Sequence, residues 1–151
     1  VISVIGGLAS GATGLFGLTI TQRYTDNRKL IDGTLQELEK LTDECAKAAG
    51  VAWSQPGDPG AVHTIETVCL LHDLSTYTAF VADRVPTVRL RVNPLLLNFR
   101  RKTTGGDFDV RERLPDLTKV SEIRSAAASL KMAYRSVVYD RNNLSIPFFS
   151  D

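Results

Sequence analysis

The sequence is short of the residues that most often carry chemistry: two histidines, two cysteines, one tryptophan and one methionine in 151 residues. His63 and His72 fall on different faces of one helical stretch, and no E-x-x-H occurs, so a di-metal site of the ferritin-like kind is not supported. H-E-x-x-H is missing, which removes the zinc-peptidase helix. G-x-S-x-G is missing too, and neither cysteine has an imidazole partner in the sequence, so neither a nucleophile elbow nor an activated thiol is expected. Cys45 and Cys69 have no C-x-x-C spacing and sit in helical-looking runs; they read as two reduced thiols packed in a core rather than as a disulfide. Charge of one sign is also lacking. A net charge of +1 gives no global pull towards nucleic acid or acidic lipid. With 43% hydrophobic and 23% charged residues the chain has enough apolar surface to fold, which excludes wholesale disorder. Neither a catalytic constellation nor a cofactor motif is left, and a non-enzymatic protein without cofactor or metal is expected.

The most informative absence is local. Val1 to Gln22 holds no charged residue, and the first charge is Arg23. As a helix this stretch rises roughly 33 Å, close to the ~30 Å hydrocarbon thickness of a bilayer. Arg23, Arg28 and Lys29 follow it against one Asp26, and a basic flank after an apolar span predicts that the downstream side faces the cytoplasm. The run is too long for a removable signal peptide, and no charged stretch precedes it here. The chain opens on Val1 rather than methionine, so a processed product or a piece of a longer chain is expected.

Small residues recur through this stretch at spacing four, in the rows Ser3, Gly7, Gly11 and Gly6, Ser10, Gly14. Glycine in a helix interior costs about 1 kcal/mol in water. Between membrane helices the same residues let backbones approach closely, and van der Waals packing drives association. Ser3, Gly7, Ser10, Gly11 and Gly14 are therefore candidate helix-packing positions. Two soluble alternatives fail on spacing. The dinucleotide pattern G-x-G-x-x-G would need glycine where Leu8 stands, and the strands that must alternate with helices are missing. A P-loop would need Lys-Ser/Thr after Gly11, where Ala12 and Thr13 stand. Ile5 stands where a pilin-like subunit carries glutamate.

Downstream, the spacing predicts a helix running to about Ser54, with Ile31, Leu35, Leu38, Cys45, Ala49 and Ala52 on one face and Thr42 in the remaining slot. Gln55-Pro-Gly-Asp-Pro-Gly60 breaks it, and Asp58-Pro59 reads as an N-cap followed by proline at the first helical position. A second helix to about Asp83 carries two apolar stripes, one of Leu70, Leu74, Tyr77 and Val81, the other of Val62, Ile65 and Cys69. It is expected at the centre of the domain. Val88, Leu90 and Val92 alternate with Arg89 and Arg91, which suggests a short strand. A final helix over about Asp116–Arg141 carries Val120, Ile123, Ala127, Leu130, Tyr134 and Val137 as a packing seam.

From Arg84 to Lys102 there are basic residues and no acidic one. Arg89, Arg91, Arg100, Arg101 and Lys102 are candidates for contact with an anionic ligand or lipid headgroup; the plain alternative is a solvated surface. Nucleic acid is not expected, because aromatic interleaving is limited to Phe99. The whole predicts an all-α protein: a transmembrane helix at 1–22, then an antiparallel three- to four-helix bundle at 23–151, with a short irregular or β-like insertion near 86–112. Expected partners are membrane lipid and other membrane subunits or further copies of itself. The expected place is the plasma or inner membrane with the bundle on the cytoplasmic side. The expected role is that of an accessory or scaffold subunit; the alternative is a sensor whose basic segment takes an anionic ligand.

Overall fold

The computed structural model describes residues Leu8–Asn143, with side-chain surroundings described over residues 25–140. The protein is mostly helical, and no strand occurs among the described residues. The helices are α1 (Leu8–Ser54), α2 (Val62–Ala82), α3 (Pro86–Arg91), α4 (Asn93–Thr104) and α5 (Leu117–Asn143). The chain divides into two compact units, Val1–Gly33 and Thr34–Asp151.

In the first unit the described part is helical from Leu8 onward, so Ser10, Gly11 and Gly14 lie on helical backbone. Ser3 and Gly7 lie outside the described residues. Arg28 and Asp32 pair one turn apart at 4.0 Å. Among the described residues no helix is long and apolar enough to cross a membrane.

The second unit is an antiparallel bundle of four segments: the part of α1 from Thr34, then α2, the α3–α4 pair, and α5. The expected seam of α1 forms its core face, with Leu35, Leu38, Thr42, Cys45 and Ala49 fully buried. The α5 seam is likewise closed, from Ile123 and Leu130 to Tyr134 and Val137. The two helices run opposite ways. Glu39 meets Arg135 at 2.8 Å, Asp43 meets Lys131 at 2.7 Å, and the Val120 methyl lies 3.6 Å from the Cβ position of Gly50. Asp116 starts α5: its carboxylate accepts the backbone N–H groups of Thr118 and Lys119 at 2.9 and 3.1 Å, the bonds of an N-cap.

Helix α2 departs from the expected pattern. Its buried face is Thr64, Thr67, Leu71, Leu74, Thr78 and Val81. Of the two predicted stripes only Leu74 and Val81 are buried, whereas Val62 is 75% exposed, Ile65 53% and Tyr77 47%. The helix is therefore not central. The reason is that threonine can enter a core once its hydroxyl is satisfied locally. Thr67 donates to the His63 carbonyl at 2.6 Å, Thr64 to the Asp58 carbonyl at 2.9 Å, and the Thr78 hydroxyl shares a 2.9 Å bond with the Tyr134 hydroxyl on α5. With threonines facing inward, apolar residues are left outside. The start of α2 is also later than expected. Asp58 caps a turn instead, accepting from Gly60 N–H at 2.9 Å, and α2 begins at Val62.

The predicted strand is a helix. Val88 and Val92 are fully buried one turn apart, while Leu90 between them is 77% exposed. The alternation was one turn of a longer helical seam, Val85, Val88, Val92, Leu96, Phe99 and Thr103, all buried. Pro86 and Pro94 each occupy a first turn, where a missing N–H costs nothing. Val92 N–H reaches the Val88 carbonyl and Leu96 N–H the Val92 carbonyl, both at 2.8 Å, so the seam continues across the junction. Of the expected insertion near 86–112, the part that is irregular is residues 105–112, in the segment between α4 and α5.

Candidate functional site

Three features bear on function: the basic segment, the end of the bundle around Trp53, and an open cleft between α2 and α4.

The basic segment does not form one surface. Arg89 pairs with Asp83 at 3.2 Å, Arg91 with Asp140, and Lys102 with Glu122 at 3.1 Å. Asp140 and Glu122 come from α5, far along the chain from the basic run, whereas Asp83 lies six residues before Arg89. Arg84 reaches the Phe80 carbonyl at 2.9 Å and lies over the Phe80 ring. Arg100 and Arg101 lie on the last turns of α4, and neither has an acidic partner among the described residues. Exposed pairs of this kind contribute roughly 0–1 kcal/mol each. Their effect here is to neutralise three of the six basic residues, leaving Arg84, Arg100 and Arg101 without an acidic partner among the described residues.

At the bundle end, Trp53 is buried as a plug. Its indole N–H donates to the Thr103 carbonyl at 2.8 Å, Phe108 tilts against it at 5.8 Å, and the Arg113 guanidinium stacks over it at 4.1 Å. Arg113 Nη2 donates to the Ala52 carbonyl at 2.8 Å, and Asp116 N–H donates to the Trp53 carbonyl at 2.8 Å. Both satisfy carbonyls that the last turn of α1 leaves open. Burial lowers the Arg113 pKa, while Asp116 and Asp107 pull it back up. The irregular segment is held down from this point: Gly57 N–H donates to the Arg113 carbonyl at 2.9 Å, and Glu112 N–H to the Gly57 carbonyl at 2.7 Å.

The cleft opens beside this plug and has a volume of about 420 Å³. Helix α2 lines it with Val68, Leu71, His72 and Ser75, and α4 with Arg100 and Thr104. Phe108 and Asp109 of the irregular segment close one end. Smaller hollows continue it both ways: one past Ser75 and Arg100 along Leu96 and Leu97, the other past Val68 and Phe108 to Ile65 and Cys69. The shared residues set the polarity of the cleft. Arg100 and Ser75 stand at one end, Phe108 and Asp109 at the other, with Leu71 between. Sequence reading had marked Arg100 for its charge but not His72, Ser75 or Asp109. Their proximity depends on α2 and α4 packing antiparallel, a tertiary contact that no local sequence pattern carries.

The two thiols also differ. Cys45 is fully buried with its pKa pushed up to about 12 by desolvation, whereas Cys69 is exposed, contrary to the expectation that both would be core-packed. Among the described residues no group of His, Cys, Asp and Glu could hold a metal ion. Comparison with protein-family models, curated proteins and solved structures finds no match to this chain.

Proposed function

We propose that the protein is a single-pass membrane protein acting as a non-enzymatic accessory or scaffold subunit, with residues 1–22 as its anchor and the helical bundle on the cytoplasmic side. The observation that carries this reading is the uncharged run Val1–Gln22 followed by Arg23, Arg28 and Lys29. Support comes from the backbone, which is helical from Leu8, the conformation that satisfies its polar groups without water. The rows through Gly7, Gly11 and Gly14 supply a face for other membrane helices or a second copy. The test is extraction of native membranes at alkaline pH. Retention in the membrane pellet supports the anchor; release into the supernatant overturns it. For the packing face, the particle extracted in mild detergent should shrink when Gly7 and Gly11 are replaced by Leu. An unchanged particle removes the glycine contact.

The second reading, in which the bundle takes an anionic ligand, is favoured by one observation. Arg100 lines the cleft with no acidic partner among the described residues, while Arg89, Arg91 and Lys102 are each paired.

A further inference from the structure

We infer that the cleft between α2 and α4 binds a small organic anion with an apolar body, its acid group at Arg100 and its body on Leu71 and Phe108. This rests on the second reading above and is independent of the membrane anchor.

The cleft has the size expected for a small-molecule site, about 420 Å³ against a usual range of roughly 300–1,000 Å³. Its lining has the usual mixture as well, an apolar floor with a few convergent polar groups. The floor is built rather than incidental. Leu71 and Phe108 are buried, and Phe108 is fixed from behind by Trp53, itself held by Thr103 and Arg113. The walls are helices, so Arg100 and Thr104 stand one turn apart on α4, as His72 and Ser75 nearly do on α2.

The sign of the ligand follows from which charges are already engaged. The Ser75 and Thr104 hydroxyls donate to the carbonyls of Leu71 and Arg100, so their oxygens keep lone pairs and they contribute little towards an anion. Arg100 has its whole fork of donors available, and a guanidinium pairs bidentately with a carboxylate or phosphate. His72 adds a ring nitrogen on the opposite wall. Asp109 lies at the other end, beside Val68 and Phe108. From Val68 to Ser75 the helix rises about 10 Å, which sets the length of the body. Asp109 repels a second acid at the far end and accepts a hydrogen bond from a donor placed there. The ligand thus carries one acid group, at the Arg100 end only. Carboxylate and phosphate share this chemistry, and the probes below separate them.

The test uses the full chain and follows the His72 imidazole and Phe108 ring resonances by NMR, so that probe dissolved in lipid or detergent does not contribute. The probes are 4-phenylbutyrate, 4-phenylbutanol, 4-phenylbutylammonium, phenyl phosphate and inorganic phosphate. Phenylbutyrate or phenyl phosphate should move both resonances saturably, and whichever binds tighter identifies the acid group. The alcohol and the ammonium should bind at least tenfold more weakly. Arg100→Gln should weaken the anion at least tenfold, and Arg101→Gln should leave it unchanged. Equal binding of the ammonium or the alcohol would overturn the assigned charge. Equal binding of inorganic phosphate would overturn the apolar body. Loss of binding in Arg101→Gln but not in Arg100→Gln would overturn the cleft while leaving an anionic ligand elsewhere on the basic segment. No saturable shift with any probe would overturn the inference, and the anchor would still be decided by alkaline extraction alone.

Discussion

Arg113 lies over the face of Trp53, its guanidinium carbon 4.1 Å from the ring centroid, and from that position it donates to the carbonyl of the preceding residue, Ala52, at 2.8 Å. One side chain thus stacks on the plug and closes the end of α1. Its Nε and Nη1 are buried with no hydrogen-bond partner among the described residues. Unpaired buried donors cost stability, so the contribution of Arg113 comes from packing and from the one carbonyl it satisfies. Arg113→Ala removes all of this and should cost about 2–4 kcal/mol. Arg113→Met keeps most of the volume over the indole and removes the unpaired donors, and should cost less than half as much. Urea denaturation of the two variants checks the order. A larger loss for Met would show that charge, not volume, holds the segment.

Gly57 is the other half of the same attachment. It exchanges backbone hydrogen bonds with Glu112 and Arg113, and a Cβ added there would overlap the Val110 carbonyl oxygen and come within 2.9 Å of Arg113 Cβ. Backbone cannot yield as a flexible side-chain tip does, so Gly57→Ala should destabilise by about 3 kcal/mol or more, with loss of protection from hydrogen exchange at Glu112. Gly33→Ala is the contrasting substitution. Its Cβ would meet nothing within 4 Å, and inside a helix the change should stabilise by about 0.5–1 kcal/mol. Thermal unfolding of both variants should shift in opposite directions.

These attachments also show where sequence reading succeeds and where it stops. The seams of α1 and α5 were legible because each buried position is apolar or small and the 3.6-residue period is unbroken over several turns. Thr42 already hinted at what Thr67 does on α2: a hydroxyl that bonds back to the carbonyl four residues earlier can pass for an apolar group. Counting apolar residues alone therefore chose the wrong face of α2. Val88, Leu90 and Val92 were misread for a different reason. Three residues cannot separate a period of two from one helical turn, and Pro86 and Pro94 each stand in a first turn, where proline starts a helix. The basic run gave the positions of Arg91 and Lys102 but not their partners Asp140 and Glu122, which come from α5. Arg100 was marked by charge; His72 and Asp109 join it only through the packing of α2 on α4.

The two cysteines should differ sharply towards alkylating reagents. Cys69 is exposed, and its thiol should be alkylated by iodoacetamide in the native protein. Cys45 on α1 is fully buried, its thiol lies 3.9 Å from the Thr67 carbonyl of α2, and desolvation raises its pKa to about 12, so almost no thiolate is present at neutral pH. Mass spectrometry should find one alkylated cysteine in the native protein and two after denaturation. Rapid labelling of both in the native state would mean that the α1–α2 contact opens readily.

Tyr134 and Thr78 form the buried polar link between α5 and α2, and it gives the protein a defined alkaline limit. The Tyr134 hydroxyl is fully buried and its pKa is raised from 10.0 to about 12 by desolvation, an effect the Thr78 bond partly offsets. Because the folded value lies above the unfolded one, the stabilising term is complete below pH 10 and is lost as pH rises from 10 towards 12. Over that interval unfolding releases a proton that the native state retains. Cys45 acts the same way from pH 9 upward. By the upper end of this range Tyr134 should account for on the order of 2 kcal/mol, taking 1.36 kcal/mol per pKa unit. Tyr134→Phe should therefore flatten the fall in denaturation midpoint between pH 10 and 11 relative to the unsubstituted protein. At pH 7 the same substitution leaves the Thr78 hydroxyl buried without its partner and should cost about 1–2 kcal/mol, most of which the double variant Thr78→Val with Tyr134→Phe should restore. An unchanged alkaline slope in Tyr134→Phe would place the loss of stability elsewhere, with Cys45 the next group to substitute.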